Sequence, residues 1–241
     1  MLTCPNCQGH NIIKNGSTYY GKQNHKCKGC GRQFVKNNTH TVSSQKRKLA
    51  KRALNERLSM RAICRIVEVS FNWLAGFSWS VWDETPDDLG VPKNLRLSSH
   101  NPIKINLLQA DEMWSFVGEK KNKRWIWVAY APSAKQVVAV HFGDRSEASA
   151  WALWSKIPKH LRQKCVFETD HWDAYKKIIP RVQHKVGKDL TYFIEGLFTG
   201  VRARVSRLVR KSLSFSKKVE AHDAAIRYYF WQFNLRNHPY I

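Results

Sequence analysis

Four cysteines near the start constrain this chain more tightly than any other feature. Cys4-Pro5-Asn6-Cys7 and Cys27-Lys28-Gly29-Cys30 are two C-x2-C pairs with nineteen residues between them. Each pair sets two thiolates on one side of a tight turn, and two such turns complete a tetrahedron of four sulfurs. Zinc suits that set because it accepts the geometry and does no redox chemistry. A stretch this short cannot bury a core of its own, so bound metal must supply its folding energy. The expectation is a zinc ribbon over residues 1–40, with one structural Zn2+ on Cys4, Cys7, Cys27 and Cys30 and "RQFV" as a returning strand. The competing account is two disulfides in a secreted mini-domain. It lacks support, because "MLTCPNCQGH" has neither a charged leader nor an apolar run. His25 lies close to Cys27, but four cysteines already fill the site. Cys64 and Cys165 stand alone and read as core residues.

Charge gives the next constraint. Lys plus Arg is 41 and Asp plus Glu is 18, a net charge of +23, and both halves of the chain carry the excess. So basic a protein is expected to seek a polyanion, with nucleic acid ahead of a membrane surface. An apolar fraction of 43% and ten tryptophans argue for a packed core. No apolar stretch reaches the ~18–20 residues that span a bilayer. The expectation is a soluble, cytoplasmic protein.

From Ser43 the pattern turns helical. "SSQKRKLAKRALNERLS" places Leu49, Ala53 and Leu58 near one face. Ser59 can cap a short helix holding Ala62, Ile63 and Ile66. "EVS" makes a turn, and Ser70 can cap the next helix. That layout, over residues 41–82, is a helix-turn-helix, whose second helix enters the major groove of DNA. Against DNA contact, the second helix, "FNWLAGFSWSVW", has no Lys or Arg and could serve as a core or dimerisation helix. "DETPDDLGVPKN" begins a polar linker over 83–104.

Strands dominate from residue 105. "INLLQADEMWSFVG", "RWIWVAYAP" and "QVVAVHFG" read as an antiparallel meander. "SEASAWALWSKI" reads as a helix, "CVFETD" as a fourth strand and "HWDAYKKII" as a short helix. "LTYFIEGLFTGVRARVSRLVR" reads as one long helix. Three strands, a helix, a strand and further helices is the order of the ribonuclease-H-like fold, in which the first and fourth strands lie side by side. Asp111 on the first and Asp170 at the tip of the fourth would then be neighbours. Glu195 could close the site from its helix. Three carboxylates can hold two Mg2+ ions roughly 3.5–4 Å apart, which suits phosphodiester chemistry. Glu112, Glu168 and Asp173 compete for these roles. Strand alternation puts Glu112 opposite Asp111 but leaves Glu168 on the face of Asp170. Trp114, Trp125, Trp127 and Trp172 could stack on a splayed base, though core packing is their commoner use.

Arg202, Arg204, Arg207, Arg210, Lys211, Lys217 and Lys218 follow Glu195 with no acid among them. Seven uncompensated cations repel one another, and a DNA backbone held along them would run toward the carboxylates.

"ADEMWSFVG", "TDHWDAY", "IEG" and "RKSLSFSK", behind the paired cysteines and the helix-turn-helix, resemble transposases of the insertion sequence one family. The resemblance covers nearly the whole chain. It implies an Asp-Asp-Glu recombinase that uses Mg2+ or Mn2+, with the acids at Asp111, Asp170 and Glu195. The chain departs from the family's pattern at His171, where a Gly is frequent, and at Phe198, where an Asn is usual. The fold expected is therefore multidomain α+β, ending in an α/β ribonuclease-H-like catalytic domain over 105–241. The function expected is binding of terminal inverted repeats, then strand cleavage and strand transfer on double-stranded element ends and target DNA. A bacterial, nucleoid-associated protein acting as a homodimer or higher oligomer follows, because two ends must be joined. The alternatives are a DNA-binding regulator without chemistry and a structure-specific nuclease that cuts but never joins.

Overall fold

A computed structural model describes residues 2–36, 42–91, 105–208 and 216–237. It divides into two compact units, Met1–Arg47 and Lys48–Ile241.

The first unit holds three short antiparallel strands, β1 (Ile12–Ser17), β2 (Gln23–Cys27) and β3 (Gln33–Val35), in that spatial order. Its two cysteine turns are closed by backbone hydrogen bonds. Cys4 N donates to Gly9 O at 2.9 Å, and Gln8 N donates to Cys4 O at 3.0 Å. Cys27 N donates to Arg32 O and Gly31 N to Cys27 O, both at 2.9 Å. The second turn ends in a left-handed residue, Gly31 at φ 73°, where a Cβ would be strained. Cys4 and Cys27 are the only buried residues among those described from 2 to 47.

Three helices follow: α1 (Ser44–Ala53), which crosses the boundary between the units, then α2 (Met60–Val67) and α3 (Phe71–Asp83) in the second. Ser59 and Ser70 cap α2 and α3 by accepting the N–H of Ala62 at 3.1 Å and of Trp73 at 3.2 Å. Glu68, left-handed at φ 57°, ends α2 and sets the turn between them. Ala50, Ala53, Ile63, Val67 and Leu74 form the small core of this trio. Leu49, expected to share a face with Ala53 and Leu58, is instead exposed, as is Ile66 of α2.

The main sheet is built from β4 (Leu107–Phe116), β5 (Lys123–Ala131), β6 (Gln136–Gly143), β7 (Val166–Thr169) and β8 (His184–Val186). The spatial order is β6-β5-β4-β7-β8. β4, β5 and β6 form an antiparallel meander, while β7 runs parallel to β4 and β8 parallel to β7. Five helices complete the unit: α4 (Glu147–Lys156), α5 (Lys159–Lys164), α6 (Asp173–Ile178), α7 (Tyr192–Arg204) and α8 (Val219–Asn237).

Both faces of the sheet are covered, which is why β5 reads as a continuous apolar run rather than an alternating one. On one face Leu108, Ala110, Trp127, Ala129 and Phe167 pack with Leu153, Leu161, Tyr175 and Ile178 of α4, α5 and α6. On the other, Met113, Ile126 and Val128 pack with Ile194, Leu197, Val201, Ile226 and Phe230 of α7 and α8. The helix trio is tied to this body by Val81 and Trp82 of α3, which pack on Tyr228 of α8. The polar stretch expected as linker is packed at its start, with Leu89 and Val91 buried. Asn234 of α8 secures it, donating to Leu89 O at 3.1 Å while accepting Val137 N at 2.8 Å. Residues 92–104 lie outside the described residues.

The expected long helix after residue 189 is shorter in fact. α7 ends at Arg204, Val205 is extended, and Ser206–Leu208 form a single 3-10 turn. Val205 and Leu208 both turn into the core beside Val201, which redirects the chain.

Candidate active site and metal centre

β4 and β7 are parallel neighbours in the register Leu107↔Val166, Leu108↔Phe167 and Gln109↔Glu168. Carried on two places, that register sets Asp111 level with Asp170, one residue past the end of β7. Alternation along β4 turns Asp111 toward the α7 face, on which Met113 also lies. Glu195 sits in the first turn of α7. Its carboxylate accepts from Thr191 Oγ1 at 3.3 Å. Asp170 is held at the strand tip, where its Oδ1 accepts Trp172 N at 3.0 Å.

The Asp111 carboxyl is pushed up to about 7, first by burial and then by the charges of Glu112, Asp170 and Glu195. Its only offsetting contact is the Glu112 N–H, which donates to Oδ1 at 2.8 Å. Crowded acids with little cationic relief suit a hard divalent cation, and oxygen ligands of this kind fit Mg2+. The three carboxylates do not close on one point. Among the described residues, only the four cysteines bring three or more metal-binding atoms within 4.8 Å of one another.

The residue that sequence reading missed here is Gln109. It is fully buried and ties three elements together. Its Nε2 donates to Glu168 Oε2 at 3.1 Å and to Leu190 O, and its Oε1 accepts Ile194 N at 2.9 Å. It thereby fixes the start of α7, and so Glu195, against β4. A buried Gln two places before Asp111 on the same strand face was the only available signal. Gln109→Leu fills the same space but leaves three polar groups unpaired, each at about 1–3 kcal/mol. We expect a loss near the low end of that sum, about 3–5 kcal/mol, because Glu168 is only half-buried, measured by urea denaturation followed by tryptophan fluorescence. A loss below about 1 kcal/mol would mean that the apolar face alone holds α7.

The competing acids are engaged elsewhere. Glu168 is the partner of Gln109. Asp173 starts α6, is exposed, and pairs with Lys176 at 2.7 Å, which holds its carboxyl below the usual range. Glu112 is buried on the opposite face of β4. It accepts from Arg145 Nε at 2.8 Å and from Tyr175 Oη at 3.0 Å. His171 is exposed beside the site, and Phe198 is buried in the core under α7.

The cysteines converge. Cys4 Sγ lies 3.6 Å from Cys30 Sγ, and Cys7 Sγ 3.6 Å from Cys27 Sγ, with all four thiols free. Sulfurs on a tetrahedral zinc at ~2.3 Å stand about 3.8 Å apart, so the cluster is compatible with a zinc site.

Among the described residues, the basic side chains after Glu195 do not form one exposed row. Arg204, Lys217 and Lys218 are exposed. Arg202 is exposed near the end of α7. Arg207 is drawn inward: its guanidinium stacks over Trp82 at 5.1 Å and donates to Ser216 Oγ at 2.9 Å. Burial pulls its pKa down to about 10. Arg210 and Lys211 lie outside the described residues.

The tryptophans divide as well. Trp127 is fully buried, and Trp125 and Trp172 pack partly buried against the same core. Lys123 sits over the Trp114 ring at 5.5 Å.

Among the described residues, no helix is long and apolar enough to cross a membrane. The pattern that defines the IS1 transposase family matches residues 105–235, more than half of the chain. The chain is 38% identical over 121 residues to the insertion element IS1 4 protein InsB of Escherichia coli (strain K12), covering 50% of this chain and 71% of that protein. It is equally similar over 121 residues to the IS1 protein InsB of Shigella sonnei, covering 91% of that protein. The matched region contains the sheet, Asp111, Asp170 and Glu195, and the chain belongs to the IS1 transposase family, as a DNA transposase.

Proposed function

We propose that the second unit carries a ribonuclease-H-like catalytic domain in which Asp111, Asp170 and Glu195 form an Asp-Asp-Glu site for Mg2+ or Mn2+. The observation that carries this reading is the charge environment of Asp111, a buried carboxyl that feels both Asp170 and Glu195. The strand order β6-β5-β4-β7-β8, with β4 and β7 parallel, supports the fold. Two divalent ions, when bound, would clamp the attacking and leaving oxygens of a phosphodiester and stabilise the charge that develops there. The chain's own residues do the rest. Asp111 within β4 and Asp170 just past the tip of β7 set the site, Thr191 orients Glu195, and Gln109 holds α7 in register. Hydrolysis at an element end leaves a 3′-OH, and attack of that hydroxyl on target DNA is a second transfer of the same kind, so one site serves both. The test is cleavage and joining of DNA that carries the native element ends, with and without Mg2+. Cutting without joining would make the protein a nuclease. Binding without either would make it a regulator.

The zinc ribbon of the first unit, with one structural Zn2+, and the α2–turn–α3 pair would locate the terminal inverted repeats. Double-stranded DNA is the partner, in a homodimer or higher oligomer that brings two ends together. A cytoplasmic, nucleoid-associated location accords with that role. Arg202, Arg204, Arg207, Arg210, Lys211, Lys217 and Lys218 remain the proposed DNA-facing set, in which Arg207 has a second task on Trp82. Each phosphate contact adds about 0.9 to the slope of log K against log salt. Lys217→Ala with Lys218→Ala is expected to lower that slope by up to about 1.8, measured by fluorescence anisotropy. Arg207→Ala should change the slope less and lower the melting point, because it also removes a stack worth about 0.5–2 kcal/mol. An unchanged slope in the lysine double variant would move the DNA path elsewhere.

A further inference from the structure

Arg145 is built into its place more firmly than an exposed side chain needs to be. It lies between β6 and α4, and its two neighbours are pinned. The Asp144 carbonyl accepts Trp127 Nε1 at 2.9 Å. The Asp144 carboxylate accepts Ser146 Oγ at 2.5 Å and Ser149 Oγ at 2.7 Å. Ser146 itself caps α4. The guanidinium is fixed in turn: Nε and Nη2 both reach Glu112 Oε1 at 2.8 Å, and the other Glu112 oxygen is taken by Tyr175. Its plane packs over Trp125 at 4.8 Å and over Trp172 at 5.3 Å.

The pair is lopsided. The Glu112 side chain is 1% exposed and that of Arg145 is 42% exposed. A buried acid costs free energy to desolvate and is poor evidence of added stability. Here it fixes the orientation of an exposed cation. Guanidinium has five N–H donors, and those beyond the Glu112 contacts have no protein partner among the described residues. The location is specific as well. Trp172, which carries the guanidinium on its ring, also donates its backbone N–H to Asp170 Oδ1. Trp125 pairs with Trp114, on the part of β4 that runs past the tip of β7.

We propose that Arg145, held by Glu112 and stacked on Trp125 and Trp172, is a binding site for a DNA phosphate next to the scissile one. This deepens the Asp-Asp-Glu reading and rests on it. A forked donor with its rotamer already fixed loses little entropy on gripping a phosphate, and Arg suits that bidentate contact better than Lys. The contact places the strand in line with the carboxylates without entering the chemistry.

The experiment uses the full chain and element-end DNA in which each phosphate within three positions of the cleavage point is replaced singly by a neutral methylphosphonate. For the wild type, one flanking position is expected to lower kcat/KM roughly ten- to hundredfold, the scale of a hydrogen bond to a charged group. Arg145→Gln should cause a similar loss on unmodified DNA and little further loss at that one position. Arg145→Lys should recover only part of it. Because Arg145→Gln leaves Glu112 buried without its cation, the double variant Glu112→Gln/Arg145→Gln is carried alongside, with its melting point. It should fold and show the same deficit. If no flanking phosphate matters to the wild type, or if the double variant cleaves as the wild type does, Arg145 only neutralises Glu112 and the proposal falls. Asp170→Asn separates the two readings, since it stays inactive if only the Arg145 proposal fails and active if the carboxylate reading itself fails.

Discussion

Asp170→Asn is expected to lower both cleavage and joining by more than about 10³-fold, the scale on which losing a stabiliser of transition-state charge acts, while DNA binding survives. An amide oxygen has no net charge and cannot bridge two divalent ions as a carboxylate does. Binding should hold or tighten slightly, because a negative charge beside the phosphates is removed. Asp111→Asn and Glu195→Gln should behave alike, and double variants should be no worse than single ones, since the three serve one site. Glu168→Gln keeps an acceptor for Gln109, and Asp173→Asn loses only an exposed ion pair, so both should retain cleavage. If Glu168→Gln abolishes cleavage and Asp170→Asn spares it, the acid that reaches the site lies within β7 rather than just past its end.

The same site gives a pH signature without DNA. The Asp111 carboxyl sits at about 7 in the folded, metal-free chain, against an ordinary value of 3.8. Its folded pKa is raised, so the folded state binds the extra proton between those values. Metal-free stability should therefore fall as pH rises from about 4 through about 7, then level off. Urea midpoints at pH 5 and pH 8 measure it. Asp111→Asn should flatten this part of the profile, and Mg2+ should restore more stability at pH 8 than at pH 5. A profile identical in the wild type and Asp111→Asn would place the burden on another group.

What could be read in the sequence followed from how local the signals are. The cysteine turns, the caps at Ser59 and Ser70 and the meander of β4, β5 and β6 are each set by residues within a few positions, and each forms where expected. The strand β8 was missed because "HKV" is three residues long and has no alternation to detect. It exists because β7 offers it a parallel edge. The break after Arg204 was missed because helical periodicity continues through Val205 and Leu208, and only the core they enter decides the turn. Asp111 and Asp170 could be paired because strand order fixes neighbours. Gln109, Arg145 and Arg207 could not be, since their partners lie between 33 and 125 positions away or across separate helices: Glu112 for Arg145, Leu190 for Gln109, Trp82 for Arg207. A long polar side chain advertises charge or hydrogen-bonding capacity in a sequence, but not whether a buried partner has already claimed it.

The largest effect on stability is expected from removing metal from the cysteine cluster, which should unfold the strands of residues 2–36 while the second unit keeps its cooperative melt. The reason is the absence of any other core. Across the described residues of that unit only Cys4 and Cys27 are buried, and three strands of three to six residues cannot hold together in water on backbone bonds alone. Structural zinc supplies apparent binding free energies of about 10–16 kcal/mol at neutral pH, far beyond what two buried thiols contribute by area. The sulfur separations of 3.6 Å favour this over oxidation, since a disulfide would bring a pair to ~2.05 Å. Metal analysis of the purified chain should find one zinc, and Cys30→Ser should lose it. Amide exchange in β1 and β2 should go from protected to fast when a chelator is added under reducing conditions. The second unit supplies its own control, because its two-faced core contains no cysteine turn and should melt at the same temperature with or without chelator. Protected amides in β1 and β2 of a reduced, metal-free chain would show that something other than zinc folds this unit.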